Sequence, residues 1–224
     1  MSNNFADSII SLGHNCYPAI YSQKKTGDEL QVFCDMAIPA WALLPIVRDN
    51  FIALHDKNDY VYMRIFENSG INYLTNKTYY TRMAKGTAIG TRFLERLNDK
   101  KEKFYDKLRS TDYVLFMRYE ESQKSDLPHI IGKRIIYSQY AAQYERDEFD
   151  HLKDLSAYLQ TTYPALRFNI LFIGNSMNPE RVLNYDMASK ILTVPNVSLD
   201  GHFEQTLDKI FIDNEEIMND FFNQ

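Results

Sequence analysis

The sequence contains little cysteine and little tryptophan. The shortage of cysteine argues against a disulfide-rich domain and against a zinc-binding domain. Cys16 and Cys34 are the only cysteines among 224 residues, too few for the disulfide framework of a small secreted domain. Together with five scattered histidines, they also lack the close spacing of zinc ligands. We therefore expect no metal, no cofactor and a reducing, cytoplasmic setting.

Long hydrophobic runs and an excess of positive charge are missing as well. Residues 1–7 are polar, and the next apolar run is too short for a signal peptide. No stretch approaches the roughly 18–20 apolar residues that span a bilayer. The formal net charge of -5 at pH 7 offers no electrostatic attraction for nucleic acid. We expect no membrane span and no nucleic-acid partner.

The patterns that are present predict a single α/β domain over residues 1–224, since no repeat or linker divides the chain. Short apolar runs predict buried strands, and amphipathic spacing predicts helices. The predicted strands cover residues 9–12, 60–66, 71–74, 113–117, 168–173 and 191–194, and the predicted helices 17–25, 39–51, 93–108, 147–163 and 203–222. Three strand-then-helix units favour a mostly parallel central sheet with helices on both faces, in three layers.

The stretch 7–16 is the strongest candidate for a functional site. Its apolar residues stop at Gly13, and Cys16 then precedes a helix that begins near Pro18. A strand that ends at a glycine and leads into a helix places the next side chain at the C-terminal edge of the sheet, where open α/β sheets bind ligands. There the positive end of the helix dipole favours a thiolate. We predict Cys16 as a nucleophile, although a buried structural cysteine also fits the pattern.

Further polar residues follow other predicted strands. Arg118 ends the middle strand and Asn175 follows a late one, so both belong to the same predicted rim as Cys16. Near the C-terminus, Asp200 and His202 flank a glycine, and a carboxylate so placed orients an imidazole. An early cysteine and a late histidine suit acyl transfer. His202 would take the proton of Cys16, while backbone N–H groups with Asn175 would bind the oxyanion.

These residues also have structural alternatives. Asp200 is equally typical of a turn or a helix N-cap, and Asn175 of an Asx-turn. His202, near a helix start, is equally typical of a solvated side chain.

Two more candidates lie nearer the N-terminus. Asp35 stands among apolar residues, as a functional carboxylate or as a helix N-cap, and it is also a possible ion-pair partner for Arg118. His14 neighbours Cys16, but residues two apart on a turn rarely face each other. We predict Arg118, Asn175, Asp35 and His14 as substrate-binding residues.

Most of the sequence, to about Gly174, resembles a family of bacterial domains of unknown function labelled as papain-like cysteine peptidases, which often occur in surface-polysaccharide or glycosylation contexts. The resemblance rests on Ser11-Leu12-Gly13-x-x-Cys16-x-x-Ala19, on Phe33-x-Asp35 with Trp41 following, and on Val114-Leu-Phe-x-Arg118. It implies Cys16 as the nucleophile, with Asp35 and Arg118 near the site.

The sequence departs from that family in two places. Met36 follows Asp35 where the family usually has tryptophan, and residues 76–81 contain no histidine where the family tends to carry a His-Asp-Phe-like element. If that histidine is the base of the family, His202 must substitute for it here or the site is inactive.

A second, looser resemblance is to SGNH hydrolases, in the order of Cys16, Gly174-Asn175 and Asp200-x-His202. Together the resemblances imply a cysteine-dependent hydrolase or acyltransferase acting on a glycan, a peptide-like or another small-molecule substrate. The alternative is a ligand-binding member of the same family without catalysis. A nucleotide-binding or sugar-phosphate-binding protein fits less well, because neither the Gly13-His-Asn-Cys nor the Gly174-Asn-Ser stretch matches a phosphate-binding loop.

Overall fold

The structure is a computed structural model, which describes residues 6–13, 16–27, 32–33, 36–64, 72–83, 88–121, 143, 145–175, 181–195, 197 and 202–222. In chain order the elements are β1 (Ser8–Ser11), α1 (Tyr17–Thr26), β2 (Met36–Ala37), α2 (Ala40–Arg48), α3 (Ile52–His55), β3 (Tyr60–Arg64), β4 (Asn72–Asn76), β5 (Arg82–Met83), α4 (Thr91–Arg109), β6 (Tyr113–Tyr119), α5 (Glu148–Thr162), β7 (Arg167–Ile173), β8 (Asn184–Asp186), β9 (Ile191–Val194), α6 (Phe203–Asp213) and α7 (Glu215–Phe222). A 3-10 turn at Lys57–Asp59 precedes β3.

Two sheets organise these elements. The larger has the strand order β1-β6-β7-β9-β8, in which the first four strands are parallel and β8 is antiparallel to β9. The smaller is antiparallel, with the order β2-β5-β4-β3. The prediction of an α/β protein with a mostly parallel sheet is confirmed, whereas the separate antiparallel sheet was not predicted.

Side chains from the two faces of the large sheet enter different hydrophobic clusters, because successive residues of a strand point in opposite directions. In β6, Val114 and Phe116 pack with residues of α2, α4 and α5. The intervening residues Leu115 and Met117 pack with residues of α6 and α7 and with Tyr21 of α1. All seven residues of β6 are buried, as its apolar run predicts.

Local sequence explains where several helices begin. Asp147 is the N-cap of α5, and its carboxylate accepts a hydrogen bond from the Phe149 backbone N–H at 2.8 Å. The helix predicted over 39–51 ends earlier, at Arg48, because Asn50 and Phe51 have positive φ angles. None of the helices in the described ranges combines the length and apolar character that a bilayer span requires.

Candidate functional site

Cys16 lies at the C-terminal edge of the large sheet, as predicted, and its side chain is exposed. It is the N-cap residue of α1, with Pro18 in the first turn of the helix. Gly13, just after β1, has a φ of 79°, a conformation that glycine adopts without the steric cost of a Cβ. A Cβ at Gly13 would lie 3.3 Å from the side chain of Ile38. Gly13 is therefore packed closely against the segment before α2.

His202 occupies the equivalent position on α6, because it is the N-cap residue of that helix. The residues that directly follow the two caps are in contact, since the Tyr17 and Phe203 ring centroids are 5.4 Å apart. The N-termini of α1 and α6 are thus neighbours, although Cys16 and His202 are 186 positions apart in the chain. The pairing of the two side chains stays a prediction.

Polar contacts between α1 and α6 hold the two helices in this arrangement. Tyr21 Oη donates to Asp208 Oδ1 at 2.9 Å, and Lys25 Nζ donates to Asp208 Oδ2 at 2.8 Å. Lys24 Nζ lies 2.6 Å from Glu204 Oε2, in a solvent-exposed ion pair of small energetic value. Burial, followed by the charge of Asp208, raises the pKa of Tyr21. The phenol therefore remains a donor to Asp208 at any ordinary pH.

Tyr119, the last residue of β6, is a neighbour of the same site that the sequence analysis missed. Its hydroxyl donates to the carbonyl oxygen of Val197 at 2.9 Å, and its ring centroid lies 6.4 Å from that of Phe203. Burial, followed by the charge of Glu120, raises the pKa of Tyr119 to about 12. An aromatic residue that ends a buried strand beside Arg118 is the only sequence signal that points to it.

Arg118 lies at the same edge but on the face of the sheet opposite to Tyr119, and its side chain is completely buried. Its Nη1 donates to the carbonyl oxygens of Leu12 and Ile38, at 3.2 and 2.7 Å. Its Nε donates to Glu148 Oε2 at 3.1 Å. Within the described part of the chain, Nη2 has no hydrogen-bond partner. The predicted contact of Arg118 with an anionic substrate would have to use that nitrogen.

Asn175 follows β7 at this edge, as predicted, and is buried against Glu120. Its backbone N–H donates to Glu120 Oε2 at 3.1 Å, and the other oxygen of that carboxylate accepts two bonds from Arg181, at 3.0 and 2.7 Å. Arg181 Nη2 also donates to Asp147 Oδ1 at 2.7 Å. Burial lowers the pKa of Arg181, but these two carboxylates outweigh it and raise the pKa. The oxyanion role of Asn175 stays a prediction.

The structure thus brings five predicted or newly found residues to one edge of the large sheet: Cys16, Arg118, Tyr119, Asn175 and His202. Three other predicted site residues, His14, Asp35 and Asp200, lie outside the described residues. The described residues include no group of three or more His, Cys, Asp or Glu side chains placed to hold a metal ion.

Fold and site together define a class: a mixed α/β protein with an exposed cysteine and a histidine on neighbouring helix N-termini at the edge of a mostly parallel sheet. Comparison of the chain with protein-family models, with curated proteins and with solved structures finds no match. Function must therefore be argued from these residues themselves.

Proposed function

We propose that this protein is a cysteine-dependent acyl-transfer enzyme whose nucleophile is Cys16 and whose base is His202. The observation that carries the proposal is the contact between Tyr17 and Phe203, which makes neighbours of the two helix N-termini that bear these residues. Helix N-termini carry partial positive charge from unpaired backbone N–H groups. Such charge stabilises a thiolate and, later, the oxyanion of a tetrahedral intermediate.

The proposed reaction has two balanced steps. In the first, His202 accepts the thiol proton, and Cys16 Sγ bonds to the acyl carbon of an ester or amide. The bond from that carbon to the leaving group breaks, and His202 returns the proton to the leaving oxygen or nitrogen. In the second, His202 takes the proton of water or of a sugar hydroxyl, and that oxygen bonds to the acyl carbon. The carbon–sulfur bond breaks, and the proton returns to Cys16 Sγ. Water as acceptor makes the enzyme a hydrolase or peptidase, whereas a hydroxyl acceptor makes it an acyltransferase.

The other predicted residues take supporting roles in this proposal. Asp200 would orient the imidazole of His202, and Asn175 would contribute to the oxyanion hole. Arg118, Asp35 and His14 would contact the substrate, for which we propose a glycan or a peptide-like molecule. No cofactor enters the proposed mechanism.

A non-catalytic ligand-binding protein is the second candidate, and the stretch 76–81 favours it. Where the resembling family tends to carry a histidine, Asn76 is buried, its amide donates to the carbonyl of Ala53 at 2.9 Å, and its oxygen accepts from the Tyr79 N–H at 2.9 Å. These contacts give the residue a structural role. A protein of this kind with no working base would still bind a ligand at the edge of the sheet but would not catalyse acyl transfer.

Alkylation of Cys16 by iodoacetamide distinguishes the two candidates. The measurement uses a Cys34→Ala background, so that one thiol reports, and follows the rate by intact mass at several pH values. We expect fast labelling near neutral pH and a decrease of roughly tenfold in His202→Ala, because the thiolate is the reacting species. His55→Ala is the matched control, because the imidazole of His55 lies in α3 and is hydrogen-bonded to the carbonyl oxygen of Phe51. Equal rates in the parent, His202→Ala and His55→Ala would support the binding protein.

A chromogenic acyl ester then tests turnover directly. We expect p-nitrophenyl acetate to give a burst of nitrophenol and an acetyl adduct on Cys16, detectable by mass, because acylation precedes deacylation. If Cys16 is alkylated quickly by iodoacetamide but never forms the acetyl adduct, the result contradicts acyl transfer.

Two further properties belong to this proposal. The separate hydrophobic clusters on the two faces of the large sheet support the predicted three-layer arrangement. The low cysteine content supports a cytoplasmic location, in the glycosylation or polysaccharide context that the resemblance implies.

A further inference from the structure

The last two residues of β6 contact the backbone of the two segments that carry the proposed catalytic pair. Because they are consecutive in a strand, Arg118 and Tyr119 point to opposite faces of the sheet. Arg118 Nη1 donates to the carbonyl of Leu12, four residues before Cys16. Tyr119 Oη donates to the carbonyl of Val197, five residues before His202. One strand end is therefore bonded to both segments.

Each of these contacts is reinforced by a second one. Nη1 of Arg118 also donates to Ile38 O at 2.7 Å, and Gly13, directly after Leu12, packs against Ile38. The guanidinium thus joins the end of β1 to the segment before α2. Tyr119 also contacts Phe203, whose ring centroid is 6.4 Å away and which directly follows His202.

We propose that Arg118 and Tyr119 are positioning residues that set the placement of Cys16 relative to His202. This inference rests on the proposed function, because it assumes that the two side chains work together. Both residues are buried, at 0% and 2% exposure, so their bonds to backbone carbonyls do not compete with bulk water. Neither residue has to touch the reacting atoms for this role.

The geometry also explains why the two residue types differ. On the face of the sheet that α5 covers, Arg118 meets the carbonyl groups of two separate segments. Its planar guanidinium can donate hydrogen bonds to both carbonyls while Nε pairs with Glu148. A single carbonyl faces the other side, and one phenol satisfies it. The high pKa of Tyr119, about 12, keeps this hydroxyl protonated over the pH range of the alkylation assay.

Tyr119→Phe tests the role of Tyr119 because it removes one hydroxyl and keeps the ring against Phe203. In the Cys34→Ala background, the measured quantity is the ratio of Cys16 alkylation rates with His202 present and with His202→Ala. Tyr105→Phe is the matched control, since Tyr105 Oη also donates to a buried backbone carbonyl, that of Val47, at 2.6 Å. We expect Tyr119→Phe to lower the ratio about fivefold, the weight of one buried hydrogen bond, and Tyr105→Phe to leave it unchanged.

Arg118→Lys tests the other residue in the same way, because lysine keeps the charge and loses the fork. Arg167→Lys is its control, since Arg167 begins β7 at the opposite edge of the sheet, where its guanidinium lies over the ring of Tyr113. A ratio that stays at the parent value in Tyr119→Phe or Arg118→Lys overturns the role of that residue, even if the protein is less stable. A parent protein in which His202→Ala has no effect refutes the proposed function itself, and the inference with it.

Discussion

Replacing Gly13 with alanine tests the close packing of the residues that follow β1. Gly27 supplies a matched control, because both glycines have positive φ angles, 79° and 68°. Alanine in the left-handed backbone conformation lowers the free energy of unfolding by about 1–2 kcal/mol at either position. Only at Gly13 would the new Cβ meet neighbours, since it would lie 3.3 Å from Ile38 Cβ and Met36 O, whereas nothing lies within 4 Å at Gly27.

The expected difference follows from those contacts. A Cβ at 3.3 Å from three atoms requires small shifts of Ile38 and of the backbone, which in packed regions cost about 1–3 kcal/mol. We therefore expect Gly13→Ala to lower the free energy of unfolding by about 2–5 kcal/mol and Gly27→Ala by about 1–2 kcal/mol. For a chain of this size, each kcal/mol corresponds to about 2–4 °C in Tm.

Urea unfolding followed by fluorescence is a suitable assay, because Trp41 is the single tryptophan and packs against the main hydrophobic cluster. The midpoint should fall more for Gly13→Ala than for Gly27→Ala at an unchanged slope, which would show that the native states are equally compact. Equal losses in the two variants would refute the packing argument. No loss in either would refute the backbone argument as well.

Two further predictions concern the whole domain. We expect Tm to fall steeply between pH 10 and 12. Burial raises the folded-state pKa of several tyrosines above the unfolded value of about 10, so these tyrosines stabilise the folded state fully below pH 10. The stabilisation is lost at higher pH because the unfolded state deprotonates first. Tyrosinate absorbance should rise together with the loss of circular dichroism, and ionisation before unfolding would contradict this. The tyrosines are Tyr21, Tyr60, Tyr105, Tyr113 and Tyr119. We also expect Asn169→Leu to cost about 2–3 kcal/mol in urea unfolding, because its buried amide bonds to Tyr113, Tyr185 and the carbonyl of Phe221; the exposed Asn184→Leu is its control, and a similar cost there would contradict the reasoning.

The buried strands were predictable because their signal is local. Strands β6 and β7 contain the apolar runs 114–117 and 170–173, which the sheet buries on both faces, and no partner has to be known to recognise them. Strands of two or three residues, such as Met36–Ala37 and Arg82–Met83, contain too few residues for any alternation to show. Their pairing is decided by contacts with distant parts of the chain.

Tertiary packing also shortened the helix predicted over 39–51. Phe51 adopts a left-handed conformation and is completely buried, with its ring centroid 5.6 Å from that of Phe33 and 5.9 Å from that of Phe104. Burial of this ring outweighs the local preference for continued helix. Helical periodicity places Phe51 on the correct face but does not reveal the turn that carries it there.

At the site, the sequence predicted the edge of the sheet better than the partners of its residues. Arg118 lies near the end of β6 and Asn175 follows β7, so both lie at that edge as expected. Their hydrogen-bond partners come from segments distant in the sequence. The same holds for Glu120 and Arg181, which are paired although they are 61 residues apart. The sequence around a charged or phenolic side chain does not indicate which distant group it will contact. Glu120, Arg181 and Tyr119 could therefore not be identified from the sequence as neighbours of the site.

The order of strands in the large sheet has a consequence for how the protein folds. Strands β6, β7, β8 and β9 pair within residues 113–194, whereas β1 must pair with β6 across the intervening residues 12–112. Closing so long a loop carries a larger entropic cost than the short connections do, and non-local pairing of this kind forms late. The strand that leads to Cys16 is synthesised before the other strands of this sheet, and we expect it to join them last. Cys16 would then reach the edge of the sheet only after the rest of the large sheet has formed.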